Sequence, residues 1–321
     1  MKLAPYIVLL SLVLCALPTL LSADKYAGEI FYLAPGVANQ AMGNTGYTNA
    51  DAVSATWWNP ALLSLQGSSG LELMHAEQFE GLMQFNHLSA IWGKQNRMGL
   101  VITHIGIDDI GLTRLANDSL PPSSTNRPSV WKHTNNNDLM AYFGISRSLS
   151  DKLHLGITPK LAFRSLAEKT GYGFGADFGM LWQMNQSLRL GVVAKDFFTT
   201  NVIWENGTQE NILPSLDAEL GLRTVVSKKQ IPVMVSAAVE TQTDGRQEAA
   251  TFNAGSVSGD LHAGIAVLPI PQLKVMAGYD ADNITAGLGI YIKKLYVEYA
   301  FKNGSSDELG YSQRIAAGWR W

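Results

Sequence analysis

From Leu71 to the carboxyl terminus the sequence alternates apolar with small or polar residues at a period of two, and it keeps this up over unusually long segments. Candidate strands fall at 71–78, 82–93, 97–106, 138–148, 153–165, 172–183, 187–198, 216–227, 231–241, 260–268, 272–280, 283–292, 294–302 and 309–321, about fourteen in all. Most are 9 to 13 residues long, where a tilted membrane strand needs about 9–11 and strands of globular proteins centre on about 5 or 6. The faces are consistent. Tyr172, Phe174, Ala176, Phe178, Met180 and Trp182 oppose Gly173, Gly175, Asp177, Gly179 and Gln183, while Leu153, Leu155, Ile157, Leu161 and Phe163 oppose His154, Gly156, Thr158, Lys160 and Arg164. Apolar outward and polar or glycine inward is the pattern of a transmembrane barrel. A soluble sandwich would need a second sheet to cover the apolar face, and no separate set of strands supplies one.

Connection lengths test this independently, because antiparallel staves put alternate connections on opposite sides of a membrane. The links at 93–96, 149–152, 184–186, 228–230, 269–271 and 293 are short, and the long ones, 107–137, 199–215 and 242–259, all fall on the other parity. Short periplasmic turns and longer outer loops are expected of an outer-membrane barrel. The fold class expected is therefore all-β: a roughly 14-stranded antiparallel transmembrane β-barrel.

Composition agrees. Hydrophobic residues make up 46% and charged residues 16%, below the roughly 25% charged of soluble domains. Residues 1–23 carry Lys2, an apolar run from Tyr6 to Leu14 and small residues towards Ala23, a secretory signal with cleavage near Ser22 or Ala23. Without it, 23 basic residues stand against 27 acidic ones, which gives no reason to expect a nucleic-acid partner. Cys15 is the lone cysteine, so no disulfide and no cysteine-based metal site is expected. No later run of 18 apolar residues exists, which excludes a helical bundle in an inner membrane. The location expected is the bacterial outer membrane, with outer-membrane lipid around the wall.

The stretch 24–70 does not alternate and reads as a hatch of turns and short helices, a plug in the periplasmic half of the lumen. Asp51 or Ser54 could cap one helix and Pro60 could open another. At the other end, 309–321 alternates again: Tyr311, Gln313, Ile315, Ala317, Trp319 and Trp321 share one face. Gly318, Trp319 and Trp321 are similar to the terminal signal that outer-membrane barrels present to their insertion machinery.

The segments Ala41-Met42-Gly43, Ala50-Asp51, Ser54-Ala55 and Asn59-Pro60-Ala61 resemble the PorV/PorQ family, and more loosely the FadL-type transporters; Trp57-Trp58, within the same hatch motif, stands where many relatives have smaller or other aromatic residues. His75-Ala76-Glu77 and Gly106 to Ile110 carry the resemblance onward. It implies a fourteen-stranded barrel with an amino-terminal hatch. For function it implies a non-enzymatic barrel that binds secreted protein cargo or surface components in type IX-like secretion. The FadL side implies a carrier of hydrophobic small molecules. The loop 107–137, with Pro121, Pro122, Pro128 and Trp131, is the candidate partner-binding segment, since an aromatic anchor on an extended chain suits a protein interface. A side exit for a hydrophobic cargo would use the glycine-rich strand from Gly171 to Gly179, which could kink.

No catalytic, cofactor or metal site is expected. Gly171, Gly173, Gly175 and Gly179 are spaced by two, unlike a dinucleotide fingerprint, and read as lumen packing. The six histidines show no paired spacing for a metal, Asp108-Asp109 and Asn135 to Asp138 match no calcium loop, and no nucleophile elbow appears. Asp177, Glu219 and Glu298 fall on inward faces with Lys160, Arg164, Arg223 and Lys302, and are expected to pair across the lumen.

Overall fold

A computed structural model describes residues 29–94, 97–243, 250–255, 257–304 and 310–321; the expected signal segment, 1–23, lies outside them. The strands in chain order are β1 (Gly70–Gln78), β2 (Met83–Trp92), β3 (Met98–Arg114), β4 (Ser129–Ser148), β5 (Leu153–Leu166), β6 (Lys169–Gln183), β7 (Leu188–Lys195), β8 (Thr200–Trp204), β9 (Gln209–Ile212), β10 (Ser215–Val226), β11 (Ile231–Gln242), β12 (Phe252–Ala254), β13 (Val257–Ile270), β14 (Leu273–Asp280), β15 (Asn283–Ile292), β16 (Leu295–Lys302) and β17 (Ser312–Arg320). Fourteen are staves, each antiparallel to the next; β8, β9 and β12 lie within connections. The cylinder closes where β17 pairs with β1, from Gly70 opposite Arg320 to Glu77 opposite Gln313.

The alternation read from sequence becomes the two surfaces of the wall. Along β1, Leu71, Leu73, His75 and Glu77 are exposed while Glu72, Met74, Ala76 and Gln78 are buried. Leu161, Tyr172, Leu288, Val297 and Ile315 stand outward with the other large apolar side chains of the staves. Closure leaves no strand edge, which lipid would penalise by several kcal/mol for each unsatisfied N–H or C=O. A closed cylinder with an apolar outer face is a membrane barrel, and its polar groups face the lumen.

The largest departure from expectation is the segment 107–137. It is not an open loop: β3 runs on to Arg114 and β4 begins at Ser129, and the two pair from Met98–Ile145 to Arg114–Ser129 with bulges at Ile107/Ile110 and Leu112/Thr113. Asn135 holds one bulge by accepting the Asp109 amide at 3.1 Å. Neighbouring β2 pairs only as far as Gly106 and β5 only as far as Asn136, so the outer part is a two-stranded ribbon standing clear of the cylinder. Pro121, Pro122 and Pro128 sit around its tip and Trp131 on its shaft, all exposed.

Residues 29–69 occupy the lumen. Helices α1 (Glu29–Tyr32), α2 (Val37–Ala41) and α3 (Ala55–Trp58) are followed by a 3-10 turn over Pro60–Leu65. Pro60 is the first residue of that turn and Asn59 its cap, accepting the Ala61 amide at 3.1 Å. Neither expected cap of α3 acts as one: Ser54 holds the position without a side-chain bond, and Asp51 is turned towards Arg223. The hatch is not confined to one half of the lumen. The 3-10 turn packs at the end bearing the short turns, whereas Arg314, three residues into β17 from the opposite end, donates to the Ala34 carbonyl at 2.5 Å.

The fold predicts that detergent-extracted protein gives a strand-rich circular dichroism spectrum and migrates faster before boiling than after. Identical migration before and after would be incompatible with a closed barrel.

Candidate functional site

The interior is a seat for the hatch, and inward glycines make the seat. A Cβ on Gly191 of β7 would fall 2.3 Å from the Tyr47 carbonyl oxygen, and one on Gly264 of β13 would fall 2.1 Å from that of Met42. On the opposite wall Gly99, Gly144, Gly156 and Gly179 leave room for Thr56, Leu63, Pro60 and Asn59. Backbone thus lies directly on backbone around the circumference. Side chains then lock the contact. The Thr285 hydroxyl accepts from the Gly43 amide at 3.0 Å and donates to the Ala41 carbonyl at 3.1 Å; the Asn59 amide donates to the Tyr47 and Met180 carbonyls at 2.9 and 3.1 Å.

Charge fixes the centre. Glu219 does not pair with a base: it accepts the backbone amides of Gly46, Tyr47 and Thr48 at 2.6, 2.8 and 3.2 Å, and the Thr48 hydroxyl as well. The Tyr47 hydroxyl, with one proton to give, lies 2.6 Å from a Glu240 carboxylate oxygen and 3.0 Å from one of Asp217, and accepts from Lys195 at 3.0 Å. Burial, then the carboxylates of Asp217 and Glu240, push its phenol well above the ordinary value, so it stays a donor. Lys195 also contacts Asp217 at 3.0 Å and lies 4.4 Å over the Trp57 ring.

The other expected acids and bases find partners, mostly on adjacent staves. Lys160 bridges Asp177 and Asp196 at 2.8 and 2.6 Å, Arg164 meets Asp138 at 3.0 Å and Lys302 meets Asp280 at 2.6 Å. Arg223 reaches the hatch at Asp51, 2.7 Å. Glu298 accepts the Tyr291 hydroxyl, with Lys274 3.8 Å away. The lumen around the hatch is thus lined by paired charges, with the hatch wedged against the glycines of the wall.

The wall carries an irregularity that the sequence reading missed, although the Phe197 amide still donates to the Ala176 carbonyl of β6 across it at 2.9 Å. Expected strand 187–198 ends at Lys195, and the chain re-enters the ladder at Thr200 in β8. Between the Phe178–Ala194 and Phe174–Asn201 pairs, β6 advances by four residues and its partner by seven. Three surplus residues therefore leave the ladder as a bulge. Asp196 turns inward, its amide donating to Asp177 at 2.8 Å, and Phe198 is left 73% exposed with the Phe197 ring 4.5 Å away. Strand β6 does not kink. Gly171 and Gly175 are instead filled by Trp204 and Thr200 of β8. The signal available in the sequence was Lys195-Asp196, a charged pair on consecutive residues where alternation would send one into lipid.

The hatch-motif residues Ala41, Met42, Gly43, Asp51, Trp57, Asn59, Pro60 and Ala61 are thus gathered in one body inside the barrel. Trp319 and Trp321 are on the outer wall with rings 4.6 Å apart, and Gly318 faces inward beneath the Tyr296 ring. Pro121, Pro122, Pro128 and Trp131 belong to the distant ribbon, where Arg114 stacks 5.4 Å from the Trp131 ring.

No family model and no curated protein matches the chain. Its fold is similar to that of the Ralstonia pickettii toluene transporter TbuX, at 12% identity over 90% of this chain and 98% of that one, TM-score 0.55. It is similar also to the Pseudomonas putida toluene transporter TodX, at 14% identity over 89% and 97%, TM-score 0.56. The chain shares the barrel fold of these transporters. A third structure, the monoaromatic hydrocarbon channel CymD, agrees at 13% identity over 90% and 97%, TM-score 0.54. Barrels of this fold lie in the bacterial outer membrane.

The arrangement inside this barrel generates a test. Lys195→Met leaves Asp217 buried without its base, a change costing about 3–5 kcal/mol. The urea midpoint for loss of the fast-migrating form should fall accordingly, and an unchanged midpoint would show that the pair does not hold the interior together.

Proposed function

We propose that this barrel passes a hydrophobic small molecule through the outer membrane by way of its wall rather than along its axis. The observation that carries the reading is the bulge between β7 and β8, set beside a lumen already filled by the hatch. An apolar solute gains nothing from a route lined by Asp217, Glu219, Glu240 and Lys195, since it would meet paired charges it cannot replace. A bulge that holds to β6 by one backbone bond, from Phe197 to Ala176, and turns the Phe198 side chain outward presents an apolar threshold in the wall. The proteins of similar fold named as toluene transporters and a monoaromatic hydrocarbon channel support this class of cargo. Deleting Asp196–Phe198 removes the surplus residues and joins β7 to β8 in one register, and Lys160 keeps Asp177. Radiolabelled toluene uptake by cells carrying that variant should drop to the level of cells without the barrel, while heat-modifiable migration persists. Undiminished uptake would remove the wall route.

A second reading, binding of a secreted or surface protein as in PorV/PorQ barrels, is favoured by the β3–β4 ribbon. Trp131 is half exposed beyond the cylinder, steadied by Arg114, as an anchor for a partner would be. The resemblance behind it rests chiefly on Ala41 to Ala61, which the structure buries as hatch. Affinity purification from membranes separates the readings: a stoichiometric protein lost on Trp131→Ala supports the partner, and its absence leaves the carrier.

A further inference from the structure

A cavity of about 370 Å³ opens at the short-turn end, between the hatch and the wall formed by β11, β13 to β17 and β1. Its size is that of a small-molecule site, and it lies apart from the β7–β8 bulge. Half of its lining is apolar, with Val37, Ala38, Met234 and Leu268 beside the stacked rings of Tyr291 and Tyr296, 5.5 Å apart. The rest is charged, three acids and three bases, and the two signs are not equally engaged.

The acids are already satisfied. Glu72 accepts from Tyr296 at 2.6 Å and contacts His87 at 3.0 Å, Glu298 accepts from Tyr291, and Asp51 is held from outside the cavity by Arg223 at 2.7 Å. The bases are held more loosely. Buried Lys274 has Glu298 as its nearest carboxylate at 3.8 Å, and Arg320 gives one hydrogen bond, to the Asp51 carbonyl, and lies 6.0 Å over the Tyr296 ring. Lys293 stands exposed on the β15–β16 turn at the rim with no carboxylate within ion-pair reach among the described residues. The Ser54 hydroxyl, fully buried on the hatch side, has no hydrogen-bond partner. A buried hydroxyl without a partner is exceptional.

We propose that this cavity binds a small organic anion, a carboxylate with a compact aromatic or short aliphatic body. Lys274, Lys293, Arg320 and the Ser54 hydroxyl supply the donors that a carboxylate's two oxygens accept, and charge-assisted bonds of this kind are the stronger class. Tyr291 and the apolar half of the lining cover the body. The capped state of Glu72 and Glu298 keeps their oxygens turned to the tyrosines, so the anion meets donors rather than bare carboxylates. Nothing in this depends on a hydrophobic cargo crossing the wall.

Equilibrium dialysis of the detergent-purified full chain against radiolabelled 1-naphthoate, with 1-naphthalenemethanol as the uncharged counterpart, tests it. Naphthoate should bind saturably at one site and at least about tenfold more tightly than the alcohol. Lys293→Gln, on an exposed turn where folding is not at stake, and Lys274→Gln should each weaken naphthoate by about tenfold while leaving the alcohol unchanged. Naphthoate held no better than the alcohol, or equally well by both variants, overturns the proposal. So does full displacement by inorganic phosphate at the concentration of naphthoate, which would mark a bare anion site with no use for the carbon body. Toluene uptake is scored separately, so failure here leaves the wall route standing and the converse also holds.

Discussion

A peptide group in hydrocarbon has no water to turn to, and everything in this molecule follows from meeting that condition fourteen times over. Each stave satisfies its N–H and C=O groups on two neighbours, and the pairing of β17 with β1 leaves no edge. Once the wall is closed, its period-two sequence has no freedom about which face meets lipid; a slip of one residue would exchange Leu71, Leu73 and Ile315 with Glu72, Met74 and Arg314. The interior is then wide, because diameter grows with strand number. Stave side chains alone do not fill it, and residues 29–69 do.

Packing a folded segment inside a cylinder calls for wall positions without side chains. The inward glycines meet that need by bringing the Tyr47 and Met42 carbonyls against the wall backbone at Gly191 and Gly264. Bare backbone on backbone gives shape but little orientation, and the carboxylates add it. Glu219, receiving three successive amides of the hatch, does what a helix-terminal anion does elsewhere, in a place where no helix begins. Tyr47 joins Asp217 and Glu240 of the wall to Lys195, so hatch position and wall charge balance are one arrangement.

How much of this the sequence showed depends on the range of the interaction. Alternation is a property of consecutive residues, so the staves at 71–78 and 283–292 were legible almost to their ends. Inward glycine as packing was legible too. What Gly191 packs against was not, because its partner Tyr47 lies more than a hundred residues away with no periodic relation to it. The expectation that Gly171 to Gly179 would kink failed for a related reason: those glycines are accommodated by Trp204 and Thr200, and the break went to the next strand, where Asp196 had a buried base to reach. Residues 107–137 read as a loop because Gly106, Asp108, Asp109 and the asparagines at 135–137 interrupt the pattern. Two bulges absorb those interruptions and the ladder continues past them.

The Arg314 bond to Ala34 also bears on the order of assembly. Arg314 is on the last strand, the one whose pairing with β1 seals the cylinder, and its acceptor is on the hatch. A cylinder sealed without its hatch would leave Arg314, Glu219 and Asp217 facing water in place of their hatch partners. The strand that closes the seam thus also holds the plug, and the two ends of the chain are tied together inside the wall as well as along it.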